Sequence, residues 1–269
     1  MQDFSHNIYK KLLTTIIQNN YNVLTFRDYV LSETINYPVL VIRHDIDAKP
    51  ERALEMAEIE SRVGIKASYY FRMKTAQSDI IRQIAAMGHE IGYHYEDLTE
   101  NKGNTEKAIA DFAENLSFLR QFYPVETIAM HGSPLSCCNN LDLWKNYDYK
   151  NYGIIAEPYI YLKEKAVSED AEYYYLTDTA RCWNGDKYNV RDRISGCKNG
   201  NSLQISATAD LINFLSSKKN KENTLNKYFF MITLHPQRWT NNFAAWTVEF
   251  ICQKLKNNVK RFMKRRVYE

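Results

Sequence analysis

"PVLVIRHD", residues 38–45, runs directly into "IDAKPERALEMAEIESRVG", residues 46–64. The first stretch is an apolar run that ends on Arg43, His44 and Asp45, with a second carboxylate, Asp47, two residues further on. An apolar run of this length without polar alternation reads as a strand buried on both faces. The second stretch carries helix signals: Pro50 at the start, Leu54, Ala57 and Ile59 at helical spacing, and Gly64 as a stop. A buried strand leading into a helix is half of a βαβ unit, and the rest of the chain repeats it.

"KASYYFRM" (66–73) is a strand and "SDIIRQIAAMG" (78–88) a helix. "HEIGYH" (89–94) is a strand, "TEKAIADFAENLSFLRQF" (105–122) a helix and "ETIAMHG" (126–132) a strand. "YGIIAEPY" (152–159) and "YYYLTDT" (173–179) read as two further strands, "SATADLINFLSS" (206–217) as a helix and "KYFFMITLHP" (227–236) as the last strand. An opening helix has Ile8, Leu12, Leu13, Ile16 and Ile17 on one face. About seven strands, mostly alternating with helices, predict one α/β domain over 1–269, with mainly parallel strands closed into a barrel. In such barrels function sits at the C-terminal ends of the strands. The irregular stretch 134–202 is expected to form loops over the barrel mouth.

A chain of 269 residues with 45% hydrophobic and 25% charged residues has ample material for a core. A net charge of +3 is too small to argue for a nucleic-acid partner. The 20 tyrosines suit either sugar stacking or half-buried strand positions. The five cysteines are odd in number and contain no C-x-x-C, which fits neither a disulfide framework nor a zinc ribbon. The N-terminal "MQDFSHNIYKKLL" lacks a signal-peptide apolar core, and no run approaches the ~18 apolar residues of a membrane span. A reducing, cytoplasmic location is the expectation.

His44, His94, His131 and His235 all fall at the C-terminal ends of expected strands, and Asp45 and Asp47 stand at the same level. His89 begins a strand, and His6 lies in the opening helix. Imidazoles and carboxylates gathered at one mouth point to a metal held by nitrogen and oxygen ligands, with positions open for water and substrate. Two carboxylates near one cation can divide the work, one binding it and the other accepting a proton. His235, arriving from the last strand, is placed to protonate a departing amine.

These stretches resemble the motifs of the polysaccharide deacetylase family, the NodB-type group of carbohydrate esterases. "RHDID" (43–47) resembles a divergent His-Asp-Val-Asp form of the first motif, which usually reads Thr-Phe-Asp-Asp-Gly. "GHEIGYH" (88–94) resembles the second motif, and "TLHPQRW" (233–239) the final Leu-x-His motif. The resemblance spans about residues 38 to 240. It implies a distorted (β/α)7 barrel and metal-dependent removal of an N- or O-acyl group from a sugar. Carried onto this chain, it makes Asp45 the base, His235 the acid, and Asp47 and His94 metal ligands, the reverse order of the two aspartates staying open. Zinc is the default among divalent metals. The family's second metal histidine falls on Leu98, which cannot coordinate; His131 is the first candidate to replace it, with Glu96 and Asp97 as alternatives. "HGSP" (131–134) sits where an Arg-x-Pro turn is usual.

The irregular stretch offers "EPY" (157–159) and "TDTARCWNGD" (177–186) as a substrate wall, with Asp178 and Trp183 foremost and Arg238 and Trp239 next. Arg181, Arg191 and Arg193 are candidates for a substrate carboxylate or phosphate. The terminal segment 241–269 reads as a basic amphipathic helix, with Val248, Ile251, Cys252, Leu255, Val259, Phe262 and Met263 in one stripe and seven basic residues from Lys254 to Arg266. That stripe either packs on the barrel or lies on an anionic membrane surface. The expected function is a metal-dependent deacetylase of a sugar or glycan precursor. The alternatives are an inactive barrel that binds a glycan or partner, and a metal-dependent hydrolase of another C–N bond.

Overall fold

The strand opened at residue 38 lies at the centre of the sheet. A computed structural model describes residues 2–268 except 135, 186, 187, 190 and 220–226, with backbone alone at 219 and 260–268. Among the described residues, seven strands form one sheet: β1 (Asn22–Leu24), β2 (Val39–Ile46), β3 (Ser68–Phe71), β4 (Glu90–Tyr95), β5 (Ile128–Met130), β6 (Glu172–Thr177) and β7 (Tyr228–Leu234). All pair in parallel, in the order β5-β4-β3-β2-β7-β6. β1 takes the lower part of one edge of β2, at Val39–Val41, and β3 the upper part of the same edge, from Arg43 to Ile46. The sheet curls into a half-barrel whose edges are β5 and β6.

The helices are α1 (His6–Gln18), α2 (Phe26–Leu31), α3 (Pro50–Ser61), α4 (Ser78–Ala86), α5 (Asp97–Glu100), α6 (Thr105–Leu119), α7 (Pro158–Ser168), α8 (Thr208–Lys219) and α9 (Phe243–Tyr268). α1 is capped by Ser5 and buries Ile8, Leu12, Leu13 and Ile16 of the expected face, while Ile17, expected on it too, is exposed. α2, α7 and β1 are not legible in the sequence. "YGIIAEPY" is not a strand: its one ladder contact is a bridge between Thr127 and Ala156. Pro158 begins α7 there, and the Glu157 carboxylate accepts from the N–H groups of Tyr159 and Ile160. Pro at the first turn behind a capping acid is a helix start, and it overrides the strand-like run before it. All five cysteines are free.

Side chains alternate across β2. Arg43 and Asp45 point into the half-barrel, while His44 and Ile46 point out to the helix layer. His44 therefore does not join the mouth, contrary to its expected grouping with the other strand-end histidines. It is wholly buried, stacks on Tyr69 at 4.3 Å and bonds Glu60 of α3 at 2.7 Å. The N-terminus of α2 closes the lower end: Phe26 N–H donates to Ser68 Oγ at 2.8 Å and Arg27 N–H to Glu90 at 3.0 Å.

Gly92, in the middle of β4, lies against the Tyr70 ring. A Cβ there would stand 2.3 Å from Tyr70 Cε1 and 3.0 Å from the Thr127 carbonyl oxygen. The Tyr70 ring is buried and its hydroxyl is tied to Thr127 Oγ1 at 3.0 Å, so it has little room to yield. Gly92→Ala should destabilise the chain by about 3 kcal/mol, the upper end of overpacking. Urea unfolding measures it, and a loss under about 1 kcal/mol would mean that the ring moves freely.

α9 differs from the expectation of a helix that buries its apolar stripe. Trp246 Nε1 donates to the Asp3 carbonyl at 2.7 Å, Glu249 pairs with Arg181 at 2.6 Å, and Asn257 donates to the Ala180 carbonyl at 2.9 Å. These polar contacts hold the helix, and Val248, Ile251, Leu255 and Val259 are left exposed. Phe262 and Met263 lie outside the residues whose side chains are described.

Candidate active site

The C-terminal ends of β2, β4, β5 and β7 deliver Asp45, His94, His131 and His235 to one cavity of about 560 Å³, which Asp47 also lines. Parallel strands end at one level, so residues far apart in sequence converge. Asp47 Oδ1 lies 3.6 Å from His94 Nε2 and 3.5 Å from His131 Nε2. Its Oδ2 lies 3.8 Å from His235 Nε2. Burial would raise the Asp47 carboxyl, but His94, His131 and His235 around it hold it well below the usual carboxylate range.

The hydrogen bonds behind the rings fix which nitrogens face the cavity. His94 Nδ1 lies 2.9 Å from the Ala129 carbonyl, which can only accept, so Nδ1 carries a proton and, in the neutral ring, Nε2 presents a lone pair. His131 Nδ1 lies 2.9 Å from Glu96. Burial opposes the charge on Glu96, yet His131 and Arg72 lower its carboxyl to about 2. An ionised Glu96 accepts, so in the neutral His131 ring Nε2 is also a lone pair. With both rings neutral, two lone pairs and a carboxylate oxygen face one another. Asp47 Oδ1 is buried without a hydrogen-bond partner among the described atoms.

Such an orphaned acceptor calls for a cation. Two ligand atoms about 2 Å from one ion stand about 3–3.5 Å apart, so the pairs at 3.5 and 3.6 Å are slightly open. Among the described residues no group of three His, Cys, Asp or Glu stands close enough together to hold a metal ion as placed. By donor type, Asp47, His94 and His131 are the residues that would hold a divalent ion there, with their spacing slightly wider than a bound shell.

Asp45 is placed differently. Arg43, wholly buried, grips it with two bonds, Nε to Oδ1 at 2.7 Å and Nη2 to Oδ2 at 2.8 Å. Asp45 Oδ2 also comes within 3.7 Å of His94 Nε2, so a free lone pair borders the same space. The Arg43 guanidinium lies over the rings of Tyr70 and Tyr159, 5.4 and 5.0 Å from their centres.

Asp178 directly follows β6 and is wholly buried. Its Oδ1 accepts from His235 Nδ1 and from Arg238 Nη1, both at 2.6 Å; its Oδ2 accepts from Trp239 Nε1 at 2.7 Å and the His235 backbone N–H at 3.1 Å. Burial resists the charge, but Arg238 and His235 lower the carboxyl to about 2. Asp178 therefore stands behind His235 and not on the cavity wall.

Of the other expected wall residues, Tyr159 and Thr179 line the cavity, while both tryptophans are packed away from it. Trp239 is buried against Phe4 and Tyr9, and Trp183 is buried with its Nε1 donating to Thr208 at 3.1 Å. Arg238 borders the cavity but is bound to Asp178. Arg181 pairs with Glu249, and Arg193 lines a separate small cleft with Trp183. Arg191 holds the loop that follows His131 by donating to the carbonyls of Gly132, Ser133 and Ser136. The stretch's last residue, Asp186, lies outside the described residues. Leu98 is buried, and Asp97 turns away to Tyr93 and Asn115.

Three residues at the site escaped the sequence analysis. Arg43 was visible in the opening stretch, since a buried arginine one strand repeat from an acid predicts a same-face pair. Glu96 was weighed only as a ligand and instead orients His131. Asp192 accepts from the hydroxyls of Tyr159, Tyr175, Thr177 and Thr179 on the cavity wall, and nothing in its local sequence marks it. Comparison of the chain with protein-family models, with curated proteins and with solved structures finds no match.

Proposed function

We propose that the chain is a metal-dependent hydrolase that removes an acyl group, N-acetyl foremost, from a sugar or glycan precursor. The observation that carries this is the orphaned Asp47 Oδ1 faced by the Nε2 lone pairs of His94 and His131. Asp47, His94 and His131 would hold a divalent ion, zinc by default among those that take nitrogen and oxygen ligands. That ion supplies Lewis-acid polarisation of an acyl carbonyl and acidifies a water molecule.

The chain's own groups do the remaining work. Asp45, fixed by Arg43, accepts the proton of the attacking water through its cavity-facing oxygen. The water oxygen bonds to the acyl carbon, the C–N bond breaks, and His235 Nε2 delivers a proton to the departing nitrogen. Asp178 holds His235 Nδ1–H and stabilises the imidazolium that this donation needs. Tyr159, Thr179 and Asn189 border the cavity as partners for hydroxyl groups. The reading keeps the polysaccharide deacetylase resemblance and takes the half-barrel, with its isolated Thr127–Ala156 bridge beyond β5, as a distorted form of the (β/α)7 barrel.

Metal analysis of the purified chain tests the proposal. It predicts about one zinc per chain, reduced at least tenfold in His94→Ala and His131→Ala, the lower bound seen even for groups behind a ligand. Acetate release from N-acetylated amino sugars should fall in parallel. Absence of both metal and acetate release, with saccharide binding retained, would instead establish a binding barrel. Metal without deacylation would move the chemistry to another C–N bond.

A further inference from the structure

We infer that α9 docks the chain on an anionic lipid surface, with the cavity mouth beside the bilayer. The inference rests on the face that α9 leaves uncovered. Val248, Ile251, Leu255 and Val259 are 61, 52, 62 and 55% exposed. At 100° per residue they fall within roughly 80° of one another. The face opposite holds the body through Trp246, Glu249 and Asn257. The helix's own anchoring thus turns Val248 and Ile251 to solvent and leaves Leu255 and Val259, though largely exposed, at the rim of the cavity.

Charge completes the pattern. Lys254 and Lys256 flank the stripe, and the sequence from Lys254 to Arg266 holds seven basic residues and no acid. An apolar stripe bordered by lysines, in a sequence rich in basic residues, is the composition of a helix that lies in a headgroup layer of negative charge. No helix among the described residues is long and apolar enough to cross a membrane, so the fit is to the surface. Leu255, Lys256 and Val259 also line the cavity that holds Asp45 and His235. A headgroup at the lipid surface would therefore stand next to the reacting groups. Resting on the hydrolase reading, this makes the substrate class an acylated sugar carried on an anionic lipid.

The test is co-sedimentation of the full chain with phosphatidylcholine vesicles, with and without phosphatidylglycerol. Binding should require phosphatidylglycerol and weaken as salt is raised. Val248→Glu combined with Ile251→Glu alters two solvent-facing positions away from the cavity and should lower the partition at least tenfold, with circular dichroism and melting unchanged. Equal partition of the variant and the parent chain would overturn the inference, as would failure of the parent to bind. A dimer in light scattering that the double variant dissolves would also overturn it, because the stripe would then join two copies. Metal content separates this inference from the hydrolase reading: vesicle binding by a chain without metal keeps the docking and removes the deacylation.

Discussion

Asp178→Asn should lower turnover by about two to four orders of magnitude while leaving metal content intact, by analogy with the loss when a histidine's orienting carboxylate becomes an amide. Four N–H donors converge on the two Asp178 oxygens, two on each. An asparagine has one oxygen and one NH2. In either orientation the NH2 faces two donors, and His235 or Trp239 loses its acceptor. If the amide oxygen turns to Trp239, His235 Nδ1–H has no acceptor and the ring is free to take the other tautomer.

The same substitution leaves the buried Arg238 cation uncompensated, which costs about 3–5 kcal/mol. Its pH dependence has a definite sign. The folded carboxyl lies at about 2, below its ordinary 3.8. Its contribution to stability is present above that ordinary value and is lost as pH falls toward about 2. The stability gap between parent and variant should be full at pH 7 and shrink below pH 4, as read by urea unfolding. A kinetic loss without a stability loss would mean that the four-donor arrangement is not held in solution.

The strands of the site were legible because their polar ends interrupt long apolar runs. The convergence of Asp45, Asp47, His94, His131 and His235 follows from parallel strands ending at one level, which the strand–helix alternation predicts. His44 shows the limit of that argument. It sits beside Asp45, but the two-residue period of a strand sends it to the opposite face, where Glu60 receives it. The substrate wall was not legible. Whether Trp183, Trp239 or Asp178 meets solvent depends on what packs over them, and the residues that do so lie far away in sequence: Thr208, Phe4 and Tyr9, and Arg238. Closure of the sheet was equally hidden, because it turns on whether "YGIIAEPY" finds a ladder partner, and the helix start at Pro158 takes that segment away.

Asp47→Asn and Asp45→Asn should separate the two carboxylates that the sequence alone leaves interchangeable. The Asp47 carboxylate has no charged partner but the surrounding histidines, and the one hydrogen bond it accepts among the described residues is a long contact from Gln237 at 3.5 Å. At pH 8, above the ordinary histidine range, Asp47→Asn should therefore leave the metal-free chain within about 1 kcal/mol of the parent, as expected for a position with no cation to strand. Zinc affinity should nevertheless fall by more than the ~10–100-fold typical of a group behind a ligand. The rise in melting temperature on adding zinc should disappear with it, since stabilisation by a ligand follows its binding. Asp45→Asn should show the opposite split. Its carboxylate compensates the wholly buried Arg43, so its loss costs about 3–5 kcal/mol in the metal-free chain and should leave most of the zinc affinity in place. If Asp45→Asn abolishes zinc binding and Asp47→Asn does not, the ligand and the base exchange places. The orphaned oxygen of Asp47 would then need another cation, and the protonated rings of His94 and His131 would be the first to examine.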